Sequence, residues 1–222
     1  MTRSVIIILL LLSCRQAKAQ NYYPNAVDCR GNVYSGRERA YAKTHRSEGP
    51  LYVTESIDDL LTSKIILPDS QMRRLDPPLS LHEESRRRVP EEDRDIEIEL
   101  AYIYGIYRDP SNDYHIILGN GELSPKKMKL MSAIVSALPG DDIDETLERV
   151  RKQIVERYGE IPCYGSMYKP VEYLTPVKIT GSLFFDVGRM PGVAGFDEFR
   201  PKTCWQIRPV LSIEFLEASD AE

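Results

Sequence analysis

Motifs that mark most enzymes are missing from this sequence. Its 222 residues hold no G-x-S-x-G elbow, no H-E-x-x-H helix, no glycine-rich phosphate loop and no nucleophile spaced from a base. Histidine is scarce: His45, His82 and His115 are the only imidazoles. The four cysteines include no CxxC pair and no Cys/His cluster, which excludes the usual structural-zinc spacings. Cys204 has no histidine partner in the pattern and is a weak nucleophile. Positive charge is short as well. Lys and Arg number 29 against 34 Asp and Glu, a formal −5 that suits a phosphate-tracking surface poorly. No apolar run approaches the roughly 20 residues of a membrane-spanning helix.

What is present begins with a leader. Residues 1–19 are expected to form a signal peptide, with Arg3 as the positive start and Val5 to Leu12 as the apolar run. Ala17-Lys18-Ala19 supplies a small-x-small cleavage site. Leu11-Leu12-Ser13-Cys14 also spells a lipobox, so the alternative exit leaves Cys14 as a lipidated N-terminus. The expected location is periplasmic or secreted, with membrane attachment only through Cys14. Losing Arg3, Arg15 and Lys18 moves the formal charge from −5 to −8. Export also permits a disulfide. Three cysteines outlast cleavage and cannot all pair within one monomer; Cys163 with Cys204, which flank the terminal strands, is the preferred pair.

Residues 20–94 read as an irregular, polar N-terminal extension. Within it Ser56 can cap a short helix, SIDDLLTSKI, that puts Ile57, Leu60 and Leu61 on one side. Pro68, Pro77 and Pro78 then interrupt the chain. The stretch 85–95, SRRRVPEEDRD, reads as a solvated connector whose acids balance Arg86, Arg87 and Arg88, with an anion-binding patch as the alternative.

From Ile96 the pattern sharpens. IEIELAYIYGIYRD alternates with period two, and Gly105 inside it marks a bulge. Asp109-Pro110-Ser111-Asn112 is a turn, DYHIILG completes the hairpin, and KLMSAIVSALP supplies a third strand after Gly119-Asn120-Gly121. Asp142 and Glu145 spell a capping box, and Ile143, Leu147, Val150, Ile154 and Tyr158 recur at helical spacing up to Gly159. Two strong strands follow. One buries Val177, Ile179, Gly181, Leu183 and Phe185; the other buries Trp205, Ile207, Leu211, Ile213 and Phe215. Three strands, a helix and two strands predict a mostly β fold with one α-helix. The expected architecture is a five-stranded OB-like barrel over residues 95–217, its helix plugging one end, with 218–222 as a tail.

Asp113-Tyr114-His115-Ile116-Ile117-Leu118, Met131 to Pro139, the following helix, PVKITGSLFFD and RPVLSIEF together resemble a family of exported bacterial OB-like proteins of unassigned molecular function. The resemblance covers Ile96 to Phe215 and implies the barrel and export. Three departures stand out. Val187, Gly188 and Arg189 follow Asp186 where the family tends to carry a histidine. Gln206-Ile207-Arg208-Pro209-Val210 replaces a Glu-Ile/Leu-His-Pro-Val pattern. Ser111-Asn112 stands where a second acid precedes the Asp-Tyr-His motif. A metal or acid–base site built from those groups would here keep only Asp113, His115 and Asp186.

Asp113 and His115 lie two apart on a strand and share a face, so they either share a proton or close the turn and pack. Tyr102, Tyr104 and Tyr107 either form a stacking platform or fill the barrel. The loop 188–203 is long for a hairpin and carries Arg189, Phe196, Phe199, Arg200 and Lys202. The expected ligand-binding set is Tyr102, Tyr104, His115, Arg189, Phe199, Arg200 and Arg208, with no catalytic residue, metal or cofactor assigned. These observations favour an exported, non-catalytic OB-like module for an unknown extracytoplasmic ligand or protein. One alternative is a degenerate hydrolase using Asp113, His115 and Asp186. Another is a nucleic-acid-binding OB domain, disfavoured by the acidic charge; a basic stripe of Lys178, Arg200, Lys202 and Arg208 would mark it.

Overall fold

The computed structural model describes residues 28–29, 39–79, 88–137, 144–163 and 168–217. The expected leader, Cys14, His82, Arg86, Arg87, the capping residue Asp142, Ile143 and the tail lie outside the described residues. The elements run α1 (Ala40–Thr44), β1 (Leu51–Ser56), α2 (Ile57–Thr62), α3 (Asp69–Met72), β2 (Asp95–Arg108), β3 (Tyr114–Gly119), β4 (Leu130–Val135), α4 (Asp144–Tyr158), β5 (Lys169–Phe185) and β6 (Trp205–Phe215).

The long strand β2 is the hub. It pairs antiparallel with β3 on one side and with β5 on the other. Ile96 and Ile98 point inward, but the phase then slips: Ala101 is buried, Leu100 is left half-exposed, and the register shifts again at Gly105. Two slips coil the strand enough for one chain segment to serve two neighbours. Gly105 is also needed for space, since a Cβ there would lie 2.5 Å from the Phe196 ring. From β2 the ladder passes through β3, β4, β6 and β5 and returns to β2. Within it β4 and β6 run parallel and the other barrel pairs antiparallel. This closed five-strand order, with α4 between β4 and β5, is the OB-like barrel that the pattern predicts.

Ile98, Ile116, Val177, Ile179, Leu183, Phe185, Trp205 and Ile207 are fully buried inside. Helix α4 adds Val150 and Ile154 to that core, while Leu147 packs with Leu211. The expected helix face is therefore the buried one. Gly159 ends the helix at φ 73°, its amide donating to the Val155 carbonyl at 2.8 Å, as a left-handed stop requires.

The extension departs from its irregular reading. Helix α2 forms as expected: Ser56 accepts the Asp59 amide at 3.2 Å, and Ile57 and Leu60 are buried. Before it, β1 adds a sixth strand that the periodicity did not reveal. It pairs parallel with Asp95 to Leu100, the half of β2 that β3 does not reach. Two arginines then fasten the extension to the barrel. Arg39 is buried against Glu92, with one bond of 2.9 Å, and donates to the Phe185 carbonyl. Glu92 in turn accepts the Phe185 amide at 2.7 Å. Arg88 donates to the carbonyls of Ala42, His45, Leu183 and Arg208, joining three separate segments. Burial lowers its guanidinium to about 10, still charged at neutral pH. Arg88 is thus a clamp, not part of a solvated connector.

That cover also corrects one face of β5. Ser182, expected on the wet side, is fully buried, donating to Asp95 at 2.6 Å and accepting the Ser47 amide at 2.9 Å. Phe184 beside it lies under the Arg39 guanidinium, 4.6 Å from its ring centre. The disulfide is corrected too. Cys163 pairs with Cys29, their Cα atoms 5.9 Å apart, and not with Cys204. Cys204 is buried and free, and its sulfur takes a 3.2 Å bond from Arg73. Burial and Asp69 push that thiol up to about 11, so it is neutral and no nucleophile at physiological pH.

Candidate functional site

The site starts in the turn that joins β2 to β3. Asn112 adopts φ 71°, a left-handed geometry that asparagine tolerates. Its amide bonds the Asp109 carbonyl at 2.8 Å, and Asp109 Oδ1 accepts the Asp113 amide at 3.1 Å. The turn thereby folds Asp109 back over the start of β3. Asp109 Oδ2 then meets His115 Nε2 at 3.0 Å. On the other side of the ring, Arg189 Nη2 lies 3.2 Å from Nδ1. A guanidinium only donates, so Nδ1 is the acceptor and the proton sits on Nε2, donated to Asp109. The imidazole is neutral in this arrangement. Its pKa is lowered, first by burial and then by the Arg189 charge, against the opposing pull of Asp109. Arg189 is held in turn by Asp186, 3.4 Å from Nε.

Aromatic rings continue outward from this chain of contacts. Tyr107 lies 5.6 Å from the His115 ring, Tyr168 lies 5.4 Å from Tyr107, and Phe196 stacks on Tyr168 at 5.7 Å. With Asp109, Arg189 and Arg200 they line a cleft of about 830 Å³ between the β2–β3 turn and the β5–β6 loop. Burial raises the Tyr107 hydroxyl and pushes Tyr168 to about 12, so both phenols stay neutral. Arg189 Nη1 is shielded from solvent and has no hydrogen-bond partner among the described residues.

Asp113 is engaged elsewhere. It is fully buried, paired with Arg208 at 2.5 Å, and its other oxygen accepts the Ala137 amide at 2.9 Å. The proton-sharing reading of Asp113 with His115 is corrected: the partner of His115 is Asp109. Donor atoms of Asp109, Asp113 and His115 do lie within 4.8 Å of one another. A cation placed among them would have to displace Arg208 from Asp113 or Arg189 from His115. Asp186 reaches His115 only through Arg189, and it also accepts a bond from Gln206 at 3.2 Å.

Of the seven expected ligand residues, the fold brings His115, Arg189 and Arg200 to the cleft. Arg208 is buried and paired with Asp113, away from the cleft lining. Tyr104 is 2% exposed and donates to the Glu122 carbonyl at 2.7 Å. Tyr102 packs against Gly121, whose Cβ would fall 2.8 Å from the ring. Phe199 lies between Tyr104, at 5.4 Å, and Phe196, at 5.1 Å, pinning the loop to the barrel. The tyrosine platform of the sequence reading is therefore displaced. Of its three tyrosines only Tyr107 lines the cleft, where Tyr168 joins it; Tyr102 and Tyr104 do not. Asp109 and Tyr168 escaped the sequence because one reads as a turn former and the other sits in an aperiodic stretch. The turn was the available signal for Asp109, since a tight hairpin sets its first residue against the start of the returning strand. Compared with protein-family models, curated proteins and solved structures, the chain matches none of them.

Proposed function

We propose that this chain is an exported, non-catalytic OB-like binding module that takes a carboxylated saccharide in the cleft beside Arg189. The observation that carries this reading is the divided state of that side chain. Its Nε and Nη2 are held by Asp186 and His115, while Nη1 has no partner among the described residues. An arginine fixed along one edge keeps Nη1 as a pre-oriented donor for a carboxylate. The rings of Tyr107, Tyr168 and Phe196 offer flat apolar walls to the C–H faces of a sugar. OB barrels bind oligosaccharides and oligonucleotides beside the corresponding two loops, an argument from fold analogy.

Charge favours the saccharide over the nucleic acid. The chain is acidic, and the anticipated basic stripe is broken: Lys178 is bound to Glu97 at 3.0 Å and Glu99 at 2.9 Å, and Arg208 is buried. Binding is favoured over hydrolysis because both imidazole nitrogens and Asp113 already have partners. The Cys29–Cys163 bridge supports an oxidising compartment, in line with the expected leader and the family resemblance. Calorimetric titration of the purified chain with uronic-acid oligosaccharides and their neutral counterparts tests the reading. Arg189→Ala and Phe196→Ala should each weaken uronate binding by about 1–3 kcal/mol with the melting temperature little changed. Absence of uronate binding, or equal affinity for the neutral sugars, overturns it.

A further inference from the structure

A second groove lies across the β5–β6 loop from the aromatic cleft, and it has a different chemistry. Its volume is about 370 Å³, and its floor is made of half-buried Leu61, Ile66, Leu67 and Met128. Flexible aliphatic and thioether side chains of this kind accept an unbranched chain by adjusting rotamers. Around the groove stand Lys126, Lys129, Arg200 and Lys202, all exposed. None of the four has an ion pair or side-chain hydrogen bond among the described residues, in a protein whose net charge is −5. Two acids share the lining. Asp69 is capped by the Thr203 hydroxyl and the Cys204 amide, each at 2.8 Å, and Glu198 is exposed, so four cations face two carboxylates.

Apolar floor and cationic border together define a ligand with a tail and an anionic head. We infer that this groove binds a free single-chain anionic amphiphile, with the alkyl chain along Leu61, Ile66, Leu67 and Met128 and the headgroup among Lys126, Lys129 and Lys202. A neutral lipid would leave the cations without a partner, and a small anion would leave the apolar floor wet. Three segments distant in sequence build the site: α2 and the residues after it, the β3–β4 loop, and the β5–β6 loop. The groove shares Arg200 with the aromatic cleft but contains neither Arg189 nor any of its rings, so variants at Arg189 and at the lysines separate the two readings.

The test titrates the purified chain with dodecanoate below its micellar concentration, with dodecyltrimethylammonium as the opposite-charge control. Vesicles of phosphatidylglycerol form a separate arm. Saturable one-site binding of dodecanoate, with little binding of the ammonium compound, is expected. The Lys126→Glu/Lys202→Glu double variant changes only exposed side chains and should fold normally, as circular dichroism will report. It should weaken dodecanoate binding at least roughly tenfold. Met128→Glu, which places a charge on the floor, should weaken it as well, and Arg189→Ala should leave it unchanged. Equal binding of the two amphiphiles, or loss through Arg189→Ala with the lysine variant unaffected, overturns the inference. Capture by vesicles without saturable dodecanoate binding overturns it too, in favour of bilayer docking. Uronate binding measured on the same variants separates this outcome from that of the saccharide reading.

Discussion

Arginine does two different jobs in this fold, and the difference lies in what each guanidinium is bound to. Where the extension meets the barrel, Arg39 binds Glu92 and the Phe185 carbonyl, and Arg88 binds four carbonyls. Arg208, also buried, is paired with Asp113. At the cleft, Arg189 is held along one edge and Arg200 is exposed. Arginines that bind the buried backbone of distant segments cement those segments together; one that borders a cleft can meet something new. A buried charge without a partner is costly, so pairing is obligatory in the interior and optional at a cleft.

The sharpest way to break the contrast is at the cemented end. Glu92→Ala leaves Arg39 as an uncompensated buried charge and removes the acceptor of the Phe185 amide. Urea unfolding should report a loss of about 3–5 kcal/mol. A loss under about 1 kcal/mol would mean that the extension is not fastened this way. Leu147→Ala provides an apolar yardstick. It empties the contact with Leu211 at the helix plug and should cost about 2–5 kcal/mol by the same measurement.

A smaller effect comes from the neutral ring of His115. The unfolded chain protonates this side chain near 6.5, the folded chain only at lower pH. The stability contributed by the neutral form is thus complete above about pH 6.5 and drains away as the pH falls below it. Urea midpoints at about pH 7.5 and pH 5 should therefore fall further apart for the parent than for His115→Gln. An identical drop in both proteins would show that His115 titrates in the folded state as it does in the unfolded chain. The smallest stability change belongs to Arg189→Ala. It removes a partly exposed arginine and should shift the midpoint little, while abolishing most uronate binding. A destabilisation as large as that of Glu92→Ala would place Arg189 among the cementing residues and erase the contrast.

Much of the barrel was legible because period two is a direct consequence of a sheet with one dry face. Val177, Ile179, Leu183 and Phe185 fall inside as the alternation predicts. The helix was legible for the same reason at its own period, and Ser56 for its capping chemistry. What periodicity does not carry is the identity of whatever covers the other face. Ser182 reads as outward and is buried, as is Phe184, because residues far upstream lie over them. Strand β1 was hidden because its pairing is parallel and its Leu51 and Val53 are each 51% exposed. At the site, loop 188–203 was readable from length and composition. The choice between Asp109 and Asp113 as the partner of His115 was not, since it depends on where Arg208 ends up. Slips in phase at Ala101 and Gly105 likewise decide which tyrosines reach the cleft, and a bulge is visible in sequence only as a glycine.

The Cys29–Cys163 bond joins positions 134 apart and so turns most of the polypeptide into a covalent ring. The ring contains the extension, β2, β3, β4 and α4, while β5 and β6 continue beyond it as a tail threaded back into the barrel wall. A protease that cuts once inside such a ring linearises it without releasing a fragment. The nicked molecule keeps its mass on a non-reducing gel and divides only when thiol is added. Cys29 lies beside the β2–β3 turn, its amide 3.1 Å from the Pro110 carbonyl, so the ring is closed next to the cleft mouth. A single cut elsewhere in the ring would leave Cys29 and Cys163 tied beside that mouth.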